Sequence, residues 1–338
     1  MEINVIGRSG YEKIYWGERY LSGITDETAA HGDKLTMLSA DDDPDILSGK
    51  HAIVLSSSKR WLTALIGRAD FKPILLTPMQ SSGISYVTFN YAGGVKSLLA
   101  RLREEGFSKT ALVSCNGDSF NDLAKKRTFV EVTDAEDQVY YHRNSIGFGI
   151  FDEFLRDVSR YDSVICTNDI VYLMLKKRLT TAGIDCSGIG FATFSDRRFD
   201  IGDSVISAVT DYYRLGRMAV GCYRMLGLSE QDALIEMKIE CGFAGKGKGG
   251  SIRETEPDKA AYLDDSALYA QQIKYLLGGA DRTDIEILRR SLDGESYEDI
   301  SEGMYMSLNT LKRRMKAMIE LSGCSSKNEL IALLKQYL

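Results

Sequence analysis

From Ile3 onward the sequence alternates short apolar runs with stretches of helical periodicity, and this restricts the chain more than any other feature. The runs Ile3–Gly7, Lys34–Leu38, Ala52–Ser56, Pro73–Leu76, Tyr86–Phe89, Thr110–Ser114, Val139–His142, Ser163–Thr167 and Ile189–Phe194 read as strands. Tyr15–Ala30, Trp61–Ala69, Ala92–Glu105, Phe148–Arg160 and Ile170–Ala182 read as helices. The apolar period switches back and forth between about two and about 3.6 residues. Such alternation builds βαβ units and parallel sheet. Gly106 and Gly183 stand where a helix ends and the chain turns back to a strand. So many strands crowd a single open sheet. Residues 1–244 are therefore expected to form a two-lobed α/β domain with parallel sheets and a ligand cleft between the lobes.

The pattern breaks at Gly245–Ser251, GKGKGGS, and Pro257 follows. Asp258–Leu277 reads as one helix, capped by Asp258 and ended by Gly278 and Gly279. Its face of Tyr262, Tyr269, Ile273 and Leu276 is a stripe for packing on its own domain or for a dimer, and both stay open. Residues 245–280 are thus expected to be a linker and helix. Residues 281–338 read as a small all-α domain of four short helices. Asp281 precedes the first, with Asp284 in its opening turn, and Ser296 with Asp299 starts the second. Ser307 opens the third, and Ser326 with Glu329 has capping-box spacing for the fourth.

The third helix concentrates charge. Leu308–Lys316, LNTLKRRMK, carries Lys312, Arg313, Arg314 and Lys316 and no acid, although segment 281–338 has 9 basic and 10 acidic residues. Leu311, Met315 and Met318 recur at helical spacing as its buried face. Ser307, Asn309 and Thr310 occupy its first turn, where side-chain donors and the helix N-terminus suit phosphate oxygens. The whole chain has a net charge of −6, so any contact with a polyanion has to be local. From charge alone a solvated basic face is the simpler account, because charge runs are common.

The order of residues in DIEILRRSLDGESYEDISEGMYMSLNTLKRRM resembles the LuxR-type (GerE-type) helix-turn-helix family. Asp284, Glu286, Ile287, Leu288 and Gly294 fall where that family has its first helix. Ser296, Glu298, Ile300 and Glu302 match the second, and Met306, Ser307, Thr310, Leu311, Lys312 and Arg313 the turn and third helix. The resemblance implies DNA binding through Ser307, Asn309, Thr310, Lys312, Arg313, Arg314 and Lys316. Arg290 and Ser291 replace usual apolar residues, and Gly303 inside the second helix costs ~1 kcal/mol relative to alanine.

Residues 3–241 resemble the sensor domain of the lactose-repressor family, which is related to periplasmic sugar-binding proteins. The resemblance rests on YVTFNYAGGVKSLLARLREEGFSKTALVS, YDSVICTNDIVYLMLKKRLTTAGI, IGFATF and ISAVTDYYRLGRMAV. It implies a ligand site of Asn90, Ser119, Lys125, Asn168 and Asp169, with Phe191 nearby. The family's usual DNA-binding headpiece is expected to be missing, because the first strand starts at Ile3, so DNA binding would have moved to the C-terminus. Ala192 and Phe89 stand where the family has aspartates that serve a sugar, and Lys125 and Thr128-Phe129, with Arg127 close by, stand at its arginine and Gly-aromatic positions. Unmet polar groups are costly, so an ordinary sugar is disfavoured. A less polar or anionic ligand, or none, remains open.

No enzyme is expected. The chain has no GxSxG, and His31, His51 and His142 lack a serine or cysteine partner in the sequence. Gly245, Gly247 and Gly250 satisfy GxGxxG, but no helix follows to receive a pyrophosphate. Ala40–Asp45, ADDDPD, lacks the glycine and distal glutamate of a calcium loop. Tyr11, Tyr15 and Trp16 suit either a ligand or the core. The 6 cysteines form no CxxC, so no metal, disulfide or cofactor is expected, and free buried thiols fit a reducing compartment. No signal peptide and no run long enough to span a membrane is visible, which points to the cytoplasm. The expected partners are double-stranded DNA, a small-molecule effector and a second copy in a homodimer. The competing reading is a ligand-binding or degenerate sensor whose C-terminal bundle serves assembly.

Overall fold

The computed structural model describes residues 1–7, 15–39, 47–67, 70–79, 83–141, 151–195, 204–229, 233–244, 276 and 279–337. Tyr11, Ala40–Asp45, His142, Gly245–Ser251 and, apart from Leu276, Asp258–Leu277 lie outside them.

In chain order the α/β part runs β1 (Glu2–Gly7), α1 (Tyr15–Ala30), β2 (Lys34–Ser39), β3 (His51–Leu55), α2 (Lys59–Ile66), β4 (Lys72–Leu75), β5 (Ser85–Phe89) and α3 (Tyr91–Glu104). It continues β6 (Thr110–Cys115), α4 (Phe120–Thr133), β7 (Val139–Tyr141), α5 (Asp152–Asp157), β8 (Ser163–Cys166), α6 (Asp169–Thr181) and β9 (Gly190–Ser195). It ends β10 (Ile206–Val209), α7 (Tyr212–Leu228), β11 (Glu236–Ile239) and β12 (Gly242–Ala244). One sheet has the order β11-β5-β4-β3-β1-β2 and the other β12-β10-β9-β8-β6-β7. All neighbouring pairs of the first sheet are parallel, as are β6 with β7, β6 with β8, and β8 with β9. Each sheet thus repeats one doubly wound strand order and is completed by a strand from late in the chain. The α/β class with two parallel-dominated sheets is as the sequence implies.

Two compact units result, Met1–Ser97 with Asn116–Asp134 and Ala208–Gly242, and Leu98–Cys115 with Ala135–Ser207 and Phe243–Leu338. Strands β5, β6, β8 and β9 are buried along their whole length, which is why they read as unbroken apolar runs. In the first unit, Val54, Leu62, Leu75 and Tyr86 belong to one core cluster. Helices α1 and α7 touch backbone to backbone. A Cβ at Gly23 would lie 2.0 Å from the Tyr213 carbonyl oxygen, and one at Gly216 2.2 Å from that of Tyr20. Strands β10, β11 and β12 have no counterpart among the expected strands. They are three or four residues long, and β11 is largely exposed, so they carry little apolar signal.

The C-terminal helices are α8 (Arg282–Leu292), α9 (Tyr297–Gly303), α10 (Leu308–Ser322) and α11 (Lys327–Tyr337). Ile285, Leu288, Ile300, Leu311, Met315 and Leu330 are fully or almost fully buried. Asp281 with Asp284 and Ser296 with Asp299 each close a reciprocal capping box, satisfying helix N–H groups that have no partner within the helix. The fourth start differs from its expected form. Ser326 Oγ accepts the Glu329 N–H at 3.2 Å, but the Glu329 carboxylate turns back to the Ser325 N–H at 2.7 Å. Among the described residues no helix is long and apolar enough to cross a membrane. No group of three or more His, Cys, Asp or Glu in them is arranged for a metal ion.

Candidate functional site

The polar residues expected to face an effector first serve the helices that follow them. Asn90 Oδ1 accepts the Gly93 N–H at 2.9 Å, Ser119 Oγ the Asp122 N–H at 3.3 Å, and Asn168 Oδ1 the Val171 N–H at 2.9 Å. Each is an N-terminal cap of the helix after a strand. Gly93 leaves room for the first, because a Cβ there would lie 2.6 Å from Asn90 Nδ2 and push that side chain aside. Asn90 Nδ2 also donates to Glu240 at 2.8 Å. Lys125 is buried, pairs with Asp122 at 3.0 Å and stands 5.0 Å from the centre of the Tyr91 ring.

In the second unit Asp169 is buried at the start of α6 and accepts the Ser195 hydroxyl at 3.0 Å and its neighbour Ile170 N–H at 3.0 Å. Phe191 does not join them. It lies near the start of β9, opposite Val164 in the sheet, with its ring 5.4 Å from that of Tyr172. Ser195, which does reach Asp169, closes the same strand at its far end. Ser114 adopts a left-handed φ of 64°, and its carbonyl accepts the Thr167 hydroxyl at 2.9 Å. The register between β6 and β7 shifts there, a bulge at the carboxyl end of the strand.

The loop before α4 is fastened to the loop after β3. Ser58 Oγ donates to Asp118 Oδ2 at 2.6 Å, and the Arg60 N–H donates to Asp118 Oδ1 at 2.9 Å. The Lys59 N–H meets the Asp118 carbonyl at 2.6 Å, and the Phe120 N–H meets the Ser57 carbonyl at 3.0 Å. Thr77 Oγ1 donates to Asn121 Oδ1 at 2.8 Å. These bonds hold the start of α4 beside the chain that follows β3 and β4.

Between α4 and the sheet edge lies a cavity of about 480 Å³, within the ordinary range for small-molecule sites. Asn90 is in its wall, whereas Ser119 and Lys125 are not. Phe89, Phe120, Thr88 and Arg127 also line it, with Lys59 from α2 and Lys238 from β11. Sequence reasoning noted Arg127 but had no signal for Lys59, Thr88 or Lys238, which come from separate elements and share no spacing. Burial, with smaller contributions from neighbouring tyrosines, holds the Tyr91 hydroxyl well above its ordinary pKa, and burial pushes the Cys241 thiol up to about 12. Both are neutral at ordinary pH.

The C-terminal helices carry the residues of the other expected site. Helices α9 and α10 are joined by Met304, Tyr305 and Met306, and Ser307 caps α10 by accepting the Thr310 N–H at 3.1 Å. Tyr305 takes a left-handed φ of 51° and is 99% exposed. The turn satisfies the end of α9 through Tyr305 N–H to Glu302 O at 3.1 Å and Met306 N–H to Ser301 O at 3.0 Å. Leu311, Met315 and Met318 face inward, while Asn309, Lys312, Arg313 and Lys316 are exposed one turn apart on the other side. Lys312 and Arg313 make no ion pair among the described residues. Lys316 reaches Glu320 only at 3.9 Å. Arg314 departs from the expected row. Its Nη1 lies 2.9 Å from both Asp281 and Asp284, so it is bound to the start of α8.

The departures from the helix-turn-helix pattern acquire a physical context here. A Cβ at Gly303 would lie 2.2 Å from Arg290 Nη1, so the glycine leaves room for that guanidinium. Arg290 in turn bonds Glu286 at 3.1 Å and Glu295 at 3.3 Å. Ser291 is buried, and its hydroxyl has no hydrogen-bond partner among the described residues.

No protein-family model matches the chain, and no curated protein matches it significantly. Solved structures do share its fold. A complex of the transcriptional regulator CelR with cellobiose is similar with a TM-score of 0.60 at 14% identity, over 73% of this chain and 84% of that one. The Lac repressor dimer bound to operator and the anti-inducer ONPF is similar with a TM-score of 0.60 at 14% identity, over 74% of this chain and 94% of that one. A putative LacI transcriptional regulator from Bacillus cereus subsp. cytotoxis NVH 391-98 gives 0.59 at 13% identity, over 74% and 99%. At these identities the likeness is one of fold, and the fold is that of LacI-family transcriptional regulators.

Proposed function

We propose that the chain is a non-enzymatic, ligand-responsive transcription regulator of the cytoplasm, with a small-molecule sensor in its α/β part and a DNA-binding helix-turn-helix in residues 281–338. The reading divides the chain into a sensor at 1–244, a linker and helix at 245–280, and the DNA-binding domain. The observation that carries it is the exposed row Asn309, Lys312, Arg313 and Lys316 on a helix that follows a tight turn and opens on the Ser307 cap. A recognition helix needs this form, with an apolar inner face, an N-terminus free for phosphate, and basic side chains one turn later. Ser307 and Thr310 serve phosphate, and Lys312 and Arg313 serve base edges or backbone. Arg314 supports the helix from behind.

The sensing part of the reading draws on the fold shared with transcriptional regulators, two of them bound to small molecules. Of Asn90, Ser119, Lys125, Asn168, Asp169 and Phe191, the residue that best supports it is Asn90, which lines the cavity. Two copies with paired heads would read paired half-sites. The test is selection of duplexes from a random pool by the full chain. Enrichment of two half-sites in fixed spacing is expected, and it should be lost in Lys312→Ala/Arg313→Ala. A folded, dimeric protein that enriches no sequence would give the C-terminal bundle an assembly role instead.

A further inference from the structure

We infer that the cavity beneath α4 binds a small organic anion with a flat apolar body, such as an aromatic carboxylate or phosphate ester, rather than a neutral sugar. This rests on the sensor reading and assigns the ligand class that it leaves open. Three cations border the cavity, Lys59, Arg127 and Lys238, against one acid, Glu131. None of the three makes an ion pair among the described residues. In a protein of net charge −6, unpaired cations converging on one hollow make a local anion trap. An arginine fork adds geometric preference for a carboxylate or phosphate.

A second, independent observation lies in the wall. Thr88 is fully buried within β5, lines the cavity, and its hydroxyl has no hydrogen-bond partner among the described residues. Buried polar groups are rarely left so, and a ligand acceptor would meet it. The rest of the wall suits an apolar ring. Phe89 and Phe120 bound it, and Leu123 and Ala124 of α4 add an aliphatic side. A sugar would find too few acceptors here. The wall has one carboxylate, Glu131, exposed like the three cations that outnumber it, and Asn90 is already committed to Gly93 and Glu240.

The test is calorimetric titration of the full chain with benzoate and phenyl phosphate, against benzamide, inorganic phosphate and glucose. At least one aromatic anion is expected to bind at least tenfold more tightly than benzamide, inorganic phosphate or glucose. Arg127→Ala should weaken that binding at least tenfold, and Thr88→Val should weaken it less, with both variants showing the wild-type circular dichroism. Binding of glucose in preference to the anions, anion binding untouched by Arg127→Ala, or no binding by either aromatic anion at millimolar concentration would overturn the assignment. Duplex binding by the same preparation is read separately, so a failed ligand assignment leaves the DNA-binding reading standing.

Discussion

Arg314 of α10 donates to Asp284 of α8 at 2.9 Å across the C-terminal bundle. The same Nη1 also reaches Asp281, the cap of α8, so one guanidinium ties the third helix to the start of the first. The partly buried Asp284 acts as both capping-box acid and anchor. Arg314→Met should lower the stability of the bundle by about 1 kcal/mol, the scale of a partly exposed pair. Its effect on duplex binding should be small compared with loss of Lys312 or Arg313. Thermal melts of the full chain beside duplex titrations separate the two effects.

Acid should weaken the same bundle. Burial raises the Glu286 carboxyl, but hydrogen bonds from Arg289 and Arg290 outweigh it and leave the group below its ordinary 4.5. Burial likewise opposes, and the Asp284 N–H and Arg314 outweigh, at Asp281, which stays below 3.8. A carboxyl depressed by folding stabilises fully above its unfolded pKa, and that share is lost as pH falls through the folded value. Asp293, raised by burial, acts in the opposite sense. The melting temperature should therefore hold down to about pH 5 and fall below 4.5, the ordinary value of Glu286. Glu286→Gln should flatten that fall.

Ser291 gives a prediction of the opposite sign. Its buried hydroxyl, inside a helix, lacks a partner among the described residues, and an unmet buried group costs about 1–3 kcal/mol. Ser291→Ala removes that group and improves helix propensity, so it should stabilise the chain by roughly 1 kcal/mol. Chemical denaturation read by helicity measures it.

Gly216 tests the packing of α1 on α7. The Cβ of an alanine there would meet the Tyr20 carbonyl oxygen at 2.2 Å, and backbone cannot give way as a side chain can. Gly216→Ala should cost ~1–3 kcal/mol, the range for an overpacked contact. Gly221→Ala, in the same helix with nothing within 4 Å, is the control and should be neutral or stabilising.

The sequence made the α/β part legible because its parallel strands are buried on both faces and read as continuous apolar runs. It was less informative about the site. Asn90, Ser119 and Asn168 were expected in the ligand site from the family resemblance, and each also caps the helix that follows it. Lys125 is charged yet buried against Asp122 and Tyr91. The cavity's cations lie on α2, α4 and β11, and no linear pattern links them before the chain is folded. In the C-terminal segment the caps at Asp281, Ser296 and Ser307 were legible because each is local. The role of Arg314 was not, since its partners lie 30 and 33 residues away.

The most direct measurement is fluorescence anisotropy of the full chain on a selected and a scrambled duplex over a range of salt concentrations. Wild-type protein should bind the selected duplex more tightly, with log affinity falling linearly in log salt. Lys312→Ala and Arg313→Ala should each weaken binding. A lost phosphate contact would reduce the salt slope by about 0.9, and a lost base contact would cost ~1–3 kcal/mol on the selected duplex alone. Folded wild-type protein that binds neither duplex at low salt, or variants that bind as the wild type does, would contradict the account.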